Sequence, residues 1–194
     1  MNNYPEYIEI KGVKYKINTD FRIAIECNKI AQDENIGDYE RALAIIYKLF
    51  GKKGLDAIDV HNELLVMGKQ YLLCNEEEDS DDDEPDMDYI EDYSYIKTSF
   101  RSDYGINLDK EKMHWWEFTD LMNGLSNSEL GNSCILNRIR NLRNIDLSKI
   151  EDSKEREKIR KAQKKVALKK HRKENNLTSE QEKSMEELNK LLGL

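Results

Sequence analysis

The sequence predicts a mainly α-helical protein: an N-terminal β-hairpin followed by a multi-helix bundle, with an acidic disordered loop and an extended charged C-terminal helix. Apolar residues recur at helical spacing through most of the 194 residues. Only two prolines and nine glycines occur, so long helices meet few interruptions. Apolar residues make up 38% of the chain and charged residues 36%, which indicates a modest core beneath a strongly charged surface.

The N-terminus carries the alternation that is typical of a β-hairpin. Residues 7–10 and 13–17 alternate apolar and polar side chains around a Lys-Gly pair. Gly12 can adopt the positive φ that a tight hairpin turn requires.

Three helices are predicted between this hairpin and the middle of the chain. The third has apolar residues on two rows of its surface, so we expect it to be central in the packing. The predicted bounds are from a cap at Thr19 or Asp20 to about Ala31, from Asp38 to Gly51, and from Asp56 to about Cys74.

An acidic stretch separates these helices from the next ones. Between Glu76 and Asp92 the chain has twelve carboxylates and no Lys or Arg. Mutual repulsion and the lack of apolar residues predict a disordered linker over residues 75–88. A calcium site is the alternative, but the aspartate spacing and the distal glutamate of a calcium-binding loop are missing. We favour the solvated linker.

Residues 89–147 form the predicted aromatic core region. Its first helix has an apolar stripe and ends at Gly105; the stripe consists of Tyr89, Tyr93, Ile96, Phe100 and Tyr104. A pair of helices follows, joined by a turn at 126–133, and we take this pair as the folding anchor because both tryptophans lie in it. The predicted buried residues of the pair are Trp115, Phe118, Leu121, Met122 and Leu125, then Ile135, Ile139 and Leu142.

The C-terminal part, residues 148–194, changes character again. From Glu151 to Lys173 there are eleven Lys or Arg and four Asp or Glu. A basic helix over 153–173, within a basic region 148–173, has only a thin apolar stripe, so it lies on a narrow seam or binds a partner. Its N-cap is Ser153 or the Ser148–Glu151 box. A short amphipathic helix is predicted at 178–192.

We expect the regions to pack as one folded unit. They are 1–74 (hairpin and three helices), 75–88 (acidic linker), 89–147 (aromatic core) and 148–194 (charged helices).

No catalytic constellation is evident in the sequence. Phosphate-binding, dinucleotide-binding, nucleophile-elbow and zinc-protease motifs are missing. His61, His114 and His171 lack a second metal ligand at helical spacing, so ordinary helix positions are favoured over metal ligation. Cys134 opens a helix, but an ordinary buried thiol is favoured over a nucleophile. We therefore predict a protein that is not an enzyme and that uses no metal or cofactor.

The cysteines and the hydropathy of the chain indicate the compartment in which we expect the protein. Three distant cysteines, without a C-x-x-C motif, fit free thiols in a reducing cytosol. We expect no signal peptide, no membrane-spanning segment and no membrane partner, because the N-terminus lacks a charged-then-apolar pattern and no apolar run reaches the required length.

The candidate partner-binding residues lie on the anchor's second helix and on the C-terminal helices. They are Arg138, Arg140 and Arg143, which could form a basic ridge, and Ile159, Val166, Leu168, Leu188 and Leu191. The alternative for the arginines is pairing with neighbouring carboxylates such as Asp120 or Asp146.

A second reading is a small nucleic-acid-binding regulator that acts through residues 154–173. Lysines and arginines there could contact phosphates. The helix has no interleaved aromatic residues for base stacking, and the whole chain carries a net charge of −8, so a protein partner is favoured.

The stretch from Tyr104-Gly-Ile, through Trp115-Trp-Glu-Phe118, to Lys165-Val-Ala-Leu168 resembles the bacteriophage "gp-fifteen" family, found in tail modules of long-tailed phages and prophages of Gram-positive bacteria. The likeness covers residues 7–170 and is strongest over 89–168. It implies a tail assembly chaperone that binds the tape measure protein, keeps it soluble and hands it to tail-tube subunits. It implies no catalytic residues. The expected location is the host cytoplasm, outside the mature virion, and self-association is left open.

Overall fold

Helices dominate the chain, and they follow a single two-stranded hairpin. The computed structural model describes residues 4–33, 35–75, 86–127 and 133–169. The predicted mainly α-helical fold with an N-terminal hairpin is confirmed. The elements are β1 Tyr7–Ile10, β2 Val13–Lys16, α1 Phe21–Ala31, α2 Asp38–Leu55, α3 His61–Leu72, α4 Tyr93–Tyr104, α5 Trp115–Asn123, α6 Ile135–Arg143 and α7 Ser153–Val166, with 3-10 turns at Ile58–Val60 and Leu147–Lys149.

Two predicted features lie outside the described residues. They are most of the acidic loop, residues 76–85, and the end of the chain from 170, which includes the helix predicted at 178–192. Within the described residues, no helix combines the length and the apolar character that a bilayer crossing requires.

The hairpin forms at the predicted position. Ile8 pairs with Tyr15 and Ile10 with Val13 in an antiparallel register. Both turn residues have positive φ, 50° at Lys11 and 78° at Gly12, which suits the twist of the two strands. The sequence had indicated only the glycine.

Helix α1 follows its predicted bounds, whereas α2 runs four residues beyond Gly51 and α3 begins five residues later than predicted. Asp20 is the N-cap of α1, since its carboxylate accepts a hydrogen bond from the Arg22 N–H. Gly51 breaks α2 as predicted, with φ 64° and ψ −158°, but a further turn continues to Leu55.

The expectation that the third helix is central was wrong. Helix α3 begins at His61 and buries one face through Leu64, Gly68 and Tyr71. Val66 is 59% exposed on the other side. Two rows of apolar residues on a helix therefore do not require burial on both sides.

The fourth helix starts later than the tyrosine stripe suggests. Helix α4 begins at Tyr93, because the Asp88 carboxylate accepts the N–H groups of Ile90 and Glu91 and holds residues 88–91 in a turn. Gly105 ends α4 in the left-handed region, as predicted.

Phe118 lies at the centre of the core. Its ring is fully buried and stacks at centroid distances of 4.6 Å on Phe21, 5.1 Å on Phe100 and 5.6 Å on Trp115. Tyr89 contacts the same ring from the turn before α4. The stack joins α1, α4 and α5, which confirms the predicted burial of Trp115 and Phe118.

The two tryptophans cap the end of α3. The indole N–H of Trp115 donates to the carbonyl of Leu72, and that of Trp116 donates to the carbonyl of Tyr71, each at 2.9 Å. These carbonyls belong to the last turn of α3, and the Tyr71 carbonyl also accepts the Cys74 N–H at 3.1 Å. The Trp-Trp pair therefore ties α5 to a helix that lies more than forty residues earlier in the chain.

We predict that Phe118→Ala lowers the free energy of unfolding by about 3–5 kcal/mol, because it removes the ring on which three others stack. Urea titration followed by circular dichroism measures it. Tyr39→Ala, at a residue that is 69% exposed, is the control and should change stability by no more than about 0.5 kcal/mol. Equal midpoints for the two variants would contradict the central role of the stack.

Candidate partner-binding surface

Helix α6 is fixed by polar contacts at its N-terminus. The buried side-chain amide of Asn137 donates to the carbonyls of Leu125 at 3.2 Å and Ser126 at 3.1 Å. The Ser99 hydroxyl on α4 accepts the Leu136 N–H at 3.1 Å, and the buried Cys134 thiol caps the helix. Cys134 is thus a structural thiol that satisfies a backbone donor.

The face that α6 buries differs from the predicted one. Leu136 and Asn137 are buried, whereas Ile135, Ile139 and Leu142 are only half-buried. Asn137 faces inward because its amide donates hydrogen bonds to two carbonyls just after the preceding helix. The spacing of apolar residues in the sequence does not indicate such hydrogen bonds. The predicted stripe is therefore left on a different side of α6.

Arg143, at the end of α6, forms a buried ion pair with Asp92. Its two terminal nitrogens each lie 2.7 Å from a carboxylate oxygen of Asp92, whose side chain is 1% exposed. The same guanidinium donates to the carbonyls of Asp86 and Val166. The hydrogen bond to Asp92 raises the pKa of Arg143 above its usual value. Arg143 thus joins α6 to the start of α4 and to the end of α7.

The arginines of α6 pair with carboxylates, but with different ones from those expected. Arg140 Nε lies 3.0 Å from both carboxylate oxygens of Asp86. Asp120 instead accepts from the Tyr4 hydroxyl, and Asp146 accepts from Ser148. Packing of α6 on α4 brings the downstream end of the acidic stretch beside the arginines, and sequence proximity could not indicate this.

Helix α7 is attached mainly through backbone and polar groups. Asp152 is its N-cap, rather than Ser153 or the predicted Ser148 box. The Gln163 amide donates to the carbonyls of Leu142, Arg143 and Ile145 at 2.8–3.3 Å and thereby caps α6. No residue within α7 is fully buried.

The basic helix ends earlier than predicted, at Val166 rather than near residue 173. Ala167 is extended, with ψ 139°, which directs Leu168 into a buried position. The Lys169 N–H then donates to the carboxylate of Glu91 at 3.0 Å. The helix ends where the Val166 carbonyl accepts from Arg143 and the Leu168 side chain is buried in the body of the protein.

A set of half-buried apolar residues remains on this part of the surface. We call it the α6–α7 seam. All its members lie outside the aromatic core cluster: Ile135, Ile139, Leu142, Leu147, Ile150, Ile159, Ala162 and Val166. Exposed lysines of α7 border it, at positions 154, 158, 161 and 165. Partly covered apolar side chains with a cationic border are suited to binding an amphipathic partner.

The comparison with protein families is decisive for the identity of the chain. The model for "Bacteriophage Gp15 protein" matches residues 1–168. The chain belongs to the bacteriophage Gp15 family. The match ends at Leu168, the buried residue that closes the C-terminal side of α7. Searches of curated proteins and of solved structures found no match.

In this Gp15-family chain, the structure separates the predicted partner-binding residues. Leu168 is buried within the fold, Arg143 is half-buried and paired with Asp92, and Arg140 is ion-paired at the surface. Ile159 and Val166 are half-buried on α7, and Arg138 is exposed on α6. Leu188 and Leu191 lie outside the described residues. Partner binding by any of them stays a prediction.

Asp92 was missed by the sequence analysis, although a signal for it existed. It lies three residues after Tyr89 and four before Ile96, and so shares their predicted buried stripe. A carboxylate on a buried stripe requires a partner, because lone buried charges are strongly disfavoured.

His61, His114 and the most buried thiol are engaged in the fold, and His171 lies outside the described residues. His114 caps α5: its Nδ1 accepts the Trp116 N–H, and its Nε2 lies 3.1 Å from the Pro5 carbonyl oxygen. His61 Nε2 lies 2.9 Å from the Leu55 carbonyl oxygen. Burial raises the pKa of Cys27 to about 12. In the described ranges, no group of three His, Cys, Asp or Glu side chains is placed to hold a metal ion.

We predict that Arg143→Met lowers the free energy of unfolding by about 3–5 kcal/mol, because Asp92 would remain as a buried charge without its partner. Chemical denaturation monitored by far-ultraviolet circular dichroism measures it. Arg138→Met on the same helix is the matched control, with an expected change within about 0.5 kcal/mol. Unchanged stability of the Arg143 variant would show that the ion pair adds nothing to the fold.

Proposed function

We propose that this protein is a phage tail assembly chaperone. It binds the tape measure protein, keeps that protein soluble and helps to recruit tail-tube subunits, in the host cytoplasm and without becoming part of the mature virion. It acts by binding alone and catalyses no reaction. Membership of the bacteriophage Gp15 family supports a phage role, and the family resemblance described above supports the tail module.

The α6–α7 seam is the observation that carries the proposal. A tape measure protein is a very long helical chain that exposes apolar faces before the tail tube surrounds it. A binding protein for such a chain needs apolar surface that is not buried in its own core. The half-buried residues of the seam are such a surface. Recognition by laying an amphipathic helix into an apolar groove is a common mode of binding.

The charge of the chain supports the solubilising part of this role. The net charge of −8 limits association between copies of a complex that covers apolar helices. The α7 lysines next to the seam give the opposite local charge. A helix with acidic residues beside its apolar stripe therefore fits the surface, whereas a basic helix is repelled.

We predict that the full chain, co-expressed with the tape measure protein of the same phage, elutes with it as one complex at micromolar concentration. Size-exclusion chromatography with light scattering measures both the complex and the number of copies of each chain. Separate elution of two soluble proteins would contradict the proposal.

The seam itself is tested by Ile159→Ser with Val166→Ser, which should reduce the complex at least about tenfold, because both residues lie on the α7 side of the seam. Val66→Ser is the matched control, since Val66 is an exposed apolar residue on a helix that does not contribute to the seam. Thermal melting shows whether each variant remains folded. A complex that tolerates the double variant as well as the control would place the binding elsewhere.

A nucleic-acid-binding regulator is the second candidate. The spacing of lysines 154, 158, 161 and 165 places them on one side of α7, where they could follow a phosphate backbone.

Salt dependence separates the two candidates. Four phosphate contacts to duplex DNA predict that the association constant falls about 100-fold between 50 and 200 mM salt. A mobility-shift titration measures it. Binding through the seam depends on apolar area and should change by less than about tenfold over the same range. Absence of any shift at 50 mM salt excludes the regulator.

A further inference from the structure

An open groove of about 850 Å³ lies on the hairpin side of the protein, and none of its residues belongs to the α6–α7 seam. Its walls are residues 16–20, residues 47–51 of α2 and residues 112–114 before α5. Four of the apolar side chains that line it are buried in the core beneath, namely Ile17, Leu49, Phe50 and Met113, and Ile23 is half-buried. Tyr47 lines it as well and is 54% exposed.

One residue of strand β2 presents an open backbone edge to this groove. In the hairpin register, Lys14 and Lys16 direct their N–H and C=O groups away from β1. The Lys14 carbonyl accepts from Lys53 Nζ at 2.7 Å, and just past Lys16 the Asn18 N–H donates to the Leu49 carbonyl. The outward N–H and C=O of Lys16 lie between the Lys53–Lys14 and Asn18–Leu49 hydrogen bonds. They have no hydrogen-bond partner among the described residues.

The charges around the groove favour an anionic occupant. The side chains of Lys16 and Lys112 are exposed and make no ion pair with any residue in the described part of the chain. Lys48 is paired with Glu26. The one carboxylate in the lining, Asp20, is bound by Arg22. The groove therefore presents two unneutralised positive charges and no unneutralised negative one.

We propose that this groove binds an acidic peptide segment in an extended conformation, paired with the backbone of Lys16. An extended peptide gains main-chain hydrogen bonds from an open strand edge, and pockets for alternate side chains give it specificity. Carboxylates on one side of the peptide face Lys16 and Lys112. The alternate apolar side chains lie on the apolar floor and against Tyr47.

The groove and the seam allow two occupants at once. They share no residue, so a helical partner on α6–α7 leaves the groove free for an extended one. The proposal does not depend on the identity of the helical partner, and its test uses no tail protein.

The test is a peptide-display selection. A library of random twelve-residue peptides is selected for binding to the immobilised full chain, and the most enriched sequence is then synthesised. We expect enriched sequences to alternate acidic and apolar residues. With the synthetic peptide bound, the Lys16 amide should exchange its hydrogen at least about tenfold more slowly in residue-resolved NMR, because a strand edge that gains a partner gains protection.

Charge reversal provides the matched comparison. Lys16→Glu with Lys112→Glu should weaken binding of that peptide at least about tenfold, whereas Lys161→Glu with Lys164→Glu, an equal charge change on α7, should leave it within about twofold. Circular dichroism melting confirms that both variants are folded. The proposal is overturned if no acidic sequence is enriched, if both double variants bind equally, or if the Lys16 amide exchanges at an unchanged rate.

Discussion

The stacking of Phe118 on Phe21, Phe100 and Trp115 is the constraint on which the rest of the structure depends. It brings α1 against α4 and α5, although these helices are far apart in the chain. Once α5 is placed, the indole groups of Trp115 and Trp116 reach the carbonyls of Leu72 and Tyr71 at the end of α3. Arg22 strengthens the same junction by donating to the carbonyls of residues 108 and 111. One buried ring thus orients four of the seven helices in the part of the chain that the structure describes.

A different kind of contact attaches the C-terminal helices. Helix α6 is joined to the core by Asn137 and by the Arg143–Asp92 pair, and α7 is joined to α6 by Gln163. Charged hydrogen bonds of fixed geometry specify position even where they add little net stability, because a misplaced helix leaves a charge buried and unpaired. The end of the acidic stretch accordingly binds α6 through Asp86 and Asp92, and it binds the Lys169 N–H, just after α7, through Glu91.

The predictability of the fold depended on whether the determinants were local. The hairpin, the Asp20 cap, the left-handed Gly105 and the burial of Phe118 follow from nearby residues, and all could be predicted. The start of α4 and the buried face of α6 depend on Asp88, Ser99 and Asn137 as hydrogen-bonding groups, which hydrophobic periodicity ignores. The partners of Arg140 and Arg143 depend on tertiary packing. The groove at Lys16 had no sequence signal, because it exists only where three separate segments meet.

The division between the two kinds of contact explains why the apolar residues of the α6–α7 seam stay only half-buried. Most large apolar side chains of α1 to α5 are buried in or packed against the aromatic core, whereas no residue of α7 is fully buried. A helix of fourteen residues is marginal on its own, so α7 depends on Asp152, Gln163 and the contacts around Val166 and Leu168 for its position. These contacts involve the two ends of α7 and the side-chain amide of Gln163. The apolar side chains of α7 stay half-buried. A partner that covered this stripe would add apolar burial to a helix that has no fully buried residue of its own, and binding to the folded state stabilises it by mass action.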